Sequence, residues 1–432
     1  MTLKTHPLRR TLTEEMHVRV FPAFSAPSRL CQILTLSGEG DAEADRAHAE
    51  TLCSLHGVTP SVSSRYFTVR FDGYLFVWER HTEFASWTFI EENVSGEPFS
   101  KSVLNHLPRG WLDDLPGEVL RGTRIEVLSR DVAEPDAEML KRLFSPADLV
   151  VCDVTDGEAR VWADFRLHDD GYGRLLVQDR ELVGGDAARL IQRLQELGNY
   201  RKMSLLGLPL AQGETPRVTE LEQQLAHLSK DIADSGDREE ELLEALSDLS
   251  AELSTISAET RYRMNATRAY ANLVADRLGE LKVSRIPGYQ TLIDFTDRRL
   301  TPAVRTCRSF SNRLDDLSER ASWASNLLRT RISTALERQN SELLTTMNQR
   351  ARMQLRLQET VEGLSVAAIS YYAVGLIGYL AKAAKAQGLP VDPTQVTGVS
   401  VPVIIVVLWL ILRRLRMRIS GMSIRRKNET QQ

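Results

Sequence analysis

Charge disappears from the chain twice near its carboxyl end. Gly363 to Ala381 and Thr394 to Leu412 each run for about 19 uncharged residues, and at roughly 1.5 Å per residue such a helix covers a ~30 Å hydrocarbon core. Lys382 to Pro393, with Gly388, Pro390 and Pro393, is long enough only to turn the chain between two antiparallel spans. Upstream, from about Asp186 to Glu362, Leu, Ala, Glu, Arg and Gln recur at helical period. Breaks are expected at Gly213, Thr215 and Pro216, at Ser235, Gly236 and Asp237, and at Ile286, Pro287 and Gly288. A short helix near Gln290 to Leu300 follows, then Thr301-Pro302, an N-cap with proline at the first helical position. No proline recurs until Pro390, so one helix should run unbroken from Pro302 into the first span, its ~60 residues before Gly363 measuring about 90 Å. Cys307, Leu314, Ala321, Leu328 and Ala335 repeat every seven, with Phe310, Leu317 and Ala324 between them, an a/d seam. Arg331 breaks it, and the apolar stripe moves to Ile332, Leu336, Leu343, Met347 and Leu355. A helix over Arg238 to Lys282, carrying Leu242, Leu246, Leu249, Leu253 and Ile256, is the obvious antiparallel partner, and a self-associating coiled coil is also allowed.

The first 205 residues alternate with a shorter period. Ser28 to Gly38 reads as a strand, Asp41 to Gly57 as an amphipathic helix, and Arg65 to Glu92 as three antiparallel strands with Asp72-Gly73 at a hairpin turn. The order then repeats. Glu118 to Ser129 is strand-like and Asp136 to Phe144 helical; Leu149 to Val154, Ala159 to Leu167 and Gly173 to Gln178 are strands before a helix near Asp186. Two such halves predict an antiparallel or mixed sheet with helices to one side. The fold class is therefore an α+β cytoplasmic head (1–205), a long helical stalk or coiled coil (206–362) and a C-terminal two-helix transmembrane hairpin. Its spans are 363–381 and 394–412, its outer loop 382–393, and a basic cytoplasmic tail occupies 413–432.

Composition narrows the class. At 432 residues, the chain has room for two to four folding units. With 54 Lys+Arg against 58 Asp+Glu, the formal charge is -4, which argues against a nucleic-acid partner. Four scattered cysteines without a CxxC suit a reducing compartment, and the amino terminus lacks the apolar run of a secretory signal. Arg350, Arg352 and Arg356 precede the first span, and Arg413, Arg414, Arg416, Arg418, Arg425, Arg426 and Lys427 follow the second, against Lys382 and Lys385 in the loop. The positive-inside rule then places both termini in the cytoplasm, with the lipid bilayer as first partner and the basic cluster as its anchor.

Candidate chemistry is sparse. On the first span Ala368, Tyr371 or Tyr372, Gly375, Gly378 and Lys382 form a small, partly polar stripe that suits tight helix packing or a lined pore; Val366, Ile369, Val374, Ile377 and Leu380 on the other side suit lipid or the second span. In the head, Glu79, His81 and Glu83 would face one way in an extended strand. Joined by His17, they would offer an acid/base pair or an oxygen and nitrogen site for a divalent cation; the plainer reading is a solvated sheet face with salt bridges. Asp164, His168, Asp169, Asp170 and Gly171 miss the spacing of a calcium loop and read as an ordinary turn. Neither GxxxxGK[ST], GxSxG, HExxH nor GxGxxG occurs, so no enzyme is expected.

The segments HPLRRTLTEEMHVRVFPAF, FVWERHTEFASWTF, NYRKMSLLGLPLA, TRYRMNATRAY and RMQLRLQETVEGLSVAAISYYAVGLIGYLAKAAKAQGLPVDP resemble, over nearly the whole chain, a bacterial family of membrane-anchored proteins of unknown function, DUF3422. That resemblance implies membrane attachment and supplies no activity or site residue. The order of head, stalk helix, two spans and basic tail is also similar to the CorA magnesium-transporter superfamily, which implies a funnel-shaped pentamer whose first span lines a pore. The Gly-Met-Asn that ends that family's first span is absent; Ile377-Gly378-Tyr379-Leu380 stands there, and Lys382 and Lys385 at the entrance would repel cations. Two functions stay open: a homo-oligomeric inner-membrane ion channel or transporter, and a membrane-tethered scaffold or sensor whose head binds a cytoplasmic partner.

Overall fold

The computed structural model describes residues 5–10, 12–13, 21–38, 42–58, 65–234, 238–388, 390 and 392–428, with side chains placed as far as Ile411 and at Arg414. The break expected at Ser235, Gly236 and Asp237 lies outside the described residues. The head begins with β1 (Ser28–Leu36), α1 (Ala42–Leu55) and a meander of β2 (Tyr66–Arg70), β3 (Leu75–Arg80) and β4 (Phe84–Glu92). It repeats with β5 (Glu118–Leu128), α2 (Ala137–Leu143), β6 (Val150–Val154), β7 (Ala159–Ala163) and β8 (Gly173–Asp179). With the two-residue β9 (Ser284–Arg285) they form one nine-stranded sheet, order β2-β3-β4-β1-β5-β8-β7-β6-β9. In each half the last strand of the meander returns to pair with the first, and the halves meet where β1 and β5 run antiparallel, Leu30 opposite Ile125. The pairing of β5 with β8 is parallel, unlike every other strand pair among the described residues.

Helices cover both faces of this sheet, which corrects the expectation of helices to one side. The reason lies in the strands. In β3, Leu75 and Val77 enter one core while Phe76 and Trp78 enter another, so alternation puts apolar surface on both faces. One face packs against α3 (Asp186–Leu205), the end of α5 (Glu239–Glu280) and the start of α6 (Leu292–Ala386). The other packs against α1 in the first half and α2 in the second.

Two prolines expected to interrupt helices do not. Helix α4 (Gly207–Asp234) follows directly after Leu206 and passes through Pro216, with Ala211, Val218, Leu221 and Leu225 buried on one side. Packing along that face holds the helix together despite the missing donor, and Thr215 Oγ1 donates to the Ala211 carbonyl at 2.6 Å. Helix α6 begins at Leu292, upstream of Thr301-Pro302, because Thr291 and Asp294 form a reciprocal cap. Asp294 N donates to Thr291 Oγ1 at 3.0 Å and Thr291 N to Asp294 Oδ2 at 3.1 Å. The helix then continues for 95 residues with Pro302 inside it.

From Cys307 to Leu328 the a/d seam of α6 is buried against α4 and α5 in a three-helix core that holds Phe310, Leu314, Leu317, Ala321 and Ala324. Packing within the chain thus accounts for this part of the seam. Arg313 pairs with Glu222 at 2.7 Å across α4 and α6. The first compact unit closes at Leu328. In the second, from Arg329, no residue is buried until Ala381, and Leu336, Leu343, Met347 and Leu355 are all exposed. This unit holds the rest of α6 and α7 (Pro393–Asn428), and both carry windows long and apolar enough to cross a membrane.

Candidate functional site

Strand β3 ends at Arg80, and His81 N donates to the Phe84 carbonyl at 2.8 Å, so His81 to Glu83 form the turn into β4. Glu79, His81 and Glu83 therefore do not line one extended strand. His81 Nε2 lies 3.4 Å from Glu79 Oε1, and its ring stacks on Phe84 with centroids 4.1 Å apart. Glu83 turns instead to Arg263 on α5, at 2.5 Å. Glu79 and His81 share with Gln195 and Glu196 a crevice of only about 10 Å³, the room of one water. His17 lies outside the described residues. Among the described residues no three or more His, Cys, Asp or Glu side chains are grouped to hold a metal ion.

The turn before β8 uses its carboxylates structurally. Asp164 accepts from the backbone of Ser145 and Arg166, and Asp170 pairs with Arg124 at 2.7 Å. On the first apolar helix the four stripe positions occupy different surroundings. Gly378 faces α7, where a Cβ would come 3.3 Å from Thr397 Oγ1; Ala368, Tyr371 and Gly375 are exposed. Val366, Val374 and Ile377 are partly covered, while Ile369 and Leu380 are exposed.

A different site emerges at the start of the parallel pair. A cavity of about 350 Å³ lies between the first residues of β5 and β8, the loop before β8, the second half of α3 and the first turns of α6. Leucine is the commonest wall residue, with Leu120, Leu194, Leu197, Leu205 and Leu300 among them, and the cations Arg121, Arg166, Arg174, Arg201, Lys202 and Arg299 share the lining. The inward row of α3 runs Leu190, Leu194, Leu197, Arg201, Leu205, so one cation occupies an apolar position at helical spacing.

The guanidinium of Arg201 sits 4.0 Å over the Phe165 ring and 5.5 Å from that of Phe295, and the two rings lie 4.3 Å apart. Its Nη1 is buried and has no hydrogen-bond partner among the described residues. Phe165 holds its ring there from a left-handed backbone, φ +55°, a conformation that costs a bulky residue about 1–3 kcal/mol. Beside it, Arg121 donates through Nη1 to two neutral amides, Gln32 Oε1 at 2.7 Å and Asn199 Oδ1 at 2.9 Å. It fits against α3 only because residue 198 is glycine, where a Cβ would stand 2.5 Å from the guanidinium. Lys202 completes the group. None of these three cations is paired with a carboxylate among the described residues.

Electrostatics follow from that imbalance. Burial pushes Arg121 down to about 10; burial and then the charge of Arg121 push Arg201 down to about 9. Lys202 is lowered by burial and by both arginines. At the rim the balance is normal: Arg299 and Arg166 share Asp148 and hold its carboxyl below the usual range. Two half-buried arginines with neutral partners, beside leucine side chains and the exposed Lys202, have the chemistry to accept an anion that brings apolar surface with it. Sequence reading passes over this site, although the cation in the apolar row of α3 is visible in the sequence.

A comparison with curated proteins finds no match. No finding supports the likeness to the CorA transporters. The family model described as protein of unknown function (DUF3422) matches residues 4–419, nearly the whole chain, and the protein therefore belongs to that family.

Proposed function

We propose that this protein is a membrane-anchored receptor of the bacterial inner membrane, whose cytoplasmic head binds an anionic ligand in the cavity between β5, β8, α3 and α6. The observation that carries the reading is Arg201, half-buried over the Phe165 ring with its Nη1 lacking a hydrogen-bond partner among the described residues, beside Arg121 and Lys202, neither paired with a carboxylate there. Binding rather than catalysis is its role. Anchoring draws support from two apolar helices whose windows are almost wholly uncovered by protein, and from the basic residues that flank them. A second copy of the chain is the partner proposed for the bare stripe of Leu336, Leu343 and Met347.

The test uses the full chain in zwitterionic nanodiscs and 8-anilinonaphthalene-1-sulfonate, an amphipathic anion whose fluorescence rises on binding. A saturable signal that Arg201→Met removes is expected. A signal indifferent to that substitution overturns the reading. The ion-channel alternative, a ring of copies around an axis lined by Ala368, Tyr371 and Gly375, starts from the exposure of those three positions, which the aliphatic Ile369 and Leu380 share. A ring-shaped oligomer whose cation flux in liposomes falls with Gly375→Leu would support it; a dimer without flux would remove it.

A further inference from the structure

We infer that the ligand of this cavity is a single-chain aliphatic anion, its carboxylate or phosphate head at Arg201 and Arg121 and its hydrocarbon along the leucine wall. The inference rests on the receptor reading and goes further, to the chemical class. For the head, two guanidinium groups with spare donors match the paired oxygens of a carboxylate or phosphate, and an anion there would supply the bond that buried Nη1 of Arg201 lacks. For the body, the lining is more apolar than polar, with leucines on β5, α3 and α6, and the hydroxyl of Thr296 donates to the Leu292 carbonyl at 2.7 Å.

The aromatic surface is also spoken for. Phe165 and Phe295 lie against each other at a 36° tilt, Arg201 covers Phe165, and Arg299 lies 4.4 Å from the centre of Phe295. No ring is left free to stack a nucleobase, which disfavours a nucleotide. A volume of about 350 Å³ is at the small end for ligand pockets, room for on the order of ten to twenty non-hydrogen atoms. At the mouth Leu167, 76% exposed, and Val119, 59% exposed, continue the apolar wall to the surface, so a longer chain can emerge there. Exposed Leu167 at the mouth and the buried Nη1 of Arg201 within place the head inside and the tail outward.

Competition against bound 8-anilinonaphthalene-1-sulfonate tests this, again on the full chain in zwitterionic nanodiscs. Decanoate or decyl phosphate should displace the dye, with decanol and inorganic phosphate each weaker by on the order of tenfold or more. Arg201→Met should weaken displacement by a similar factor, and so should Leu197→Trp, which keeps the cations and fills the cavity. Decanol as effective as decyl phosphate would overturn the role of the charges; inorganic phosphate as effective would overturn the role of the chain. Dye that binds in an Arg201-dependent way yet yields to neither amphiphile overturns the aliphatic class and leaves the receptor reading standing. Dye that does not bind removes both. If phosphatidic acid in the nanodisc already excludes the dye, the bilayer supplies the ligand; if only the added anions compete, a soluble amphiphile does.

Discussion

A charged side chain in an apolar helix row gives up its hydration, and Arg201 recovers only part of that from the ring of Phe165. Arg201→Met keeps the stem and the aromatic contact but removes the charge, so the unliganded head should become more stable by about 1 kcal/mol. Thermal unfolding of the full chain checks the sign; a lowered midpoint would mean that Arg201 holds the fold rather than a ligand. The contrast is Arg80 and Asp45, both buried and 2.8 Å apart, with Ser37 Oγ donating to Asp45 Oδ2 at 2.7 Å. There each charge has its counter-charge, and Asp45→Ala strands the arginine, which should lower stability by about 3–5 kcal/mol in denaturant unfolding. At this scale the sequence favours what is contiguous. Glu79, His81 and Glu83 draw the eye because they adjoin, yet the turn into β4 keeps only Glu79 and His81 together and sends Glu83 to Arg263. Arg121, Phe165, Arg201 and Phe295 meet only through the sheet and two helices. The one local clue was the break in the Leu190, Leu194, Leu197 row at Arg201.

Helix α6 shows how one periodic pattern can serve two environments. Leu317 is buried in the three-helix core, and Leu317→Ala should cost about 2–5 kcal/mol through lost contacts and a residual cavity. Leu343 and Met347 are exposed, so a double change to lysine should leave head unfolding untouched while removing the self-association proposed for that stripe, as read by mass photometry. Equal oligomer content in the variant would place any self-contact elsewhere. The heptad itself was readable, since Cys307 to Leu328 repeats without error. The helix boundaries were not, because burial around Pro216 and the cap at Thr291 and Asp294 outweigh a local rule about proline. Nor was the parallel pairing of β5 with β8. Both halves have the same element order, but the pairing shows that the connection through α1 returns to the sheet end it left, whereas that through α2 crosses to the opposite end. Hydrophobic alternation is blind to that choice, and it is this choice that leaves β5 beside β8 at the cavity.

For the whole molecule, the compartment that the cavity samples depends on which side of the bilayer holds the head, and the chain provides a quiet background for measuring it. Cys31, Cys53, Cys152 and Cys307 are all buried. Burial pushes Cys31 up to about 12 and Cys53 and Cys152 up to about 11, so little thiolate exists near neutrality and a membrane-impermeant maleimide should ignore them in the folded protein. An introduced cysteine then reports alone. Gln387→Cys lies in the connection between α6 and α7, and Ser341→Cys on the exposed part of α6. Positive residues crowd the flanks, Arg350, Arg352 and Arg356 on one side and Arg413 to Lys427 on the other, while only Lys382 and Lys385 stand between the two apolar segments. Because basic flanks resist translocation, intact cells should label Gln387→Cys and spare Ser341→Cys until their membranes are opened. The reverse pattern would put the head outside, and the anion reaching Arg201 would then come from the exterior rather than from the cytoplasm. Labelling of both in intact cells would mean that α6 does not insert as a span, and the anchoring proposal would fail while the chemistry of the cavity stood unchanged.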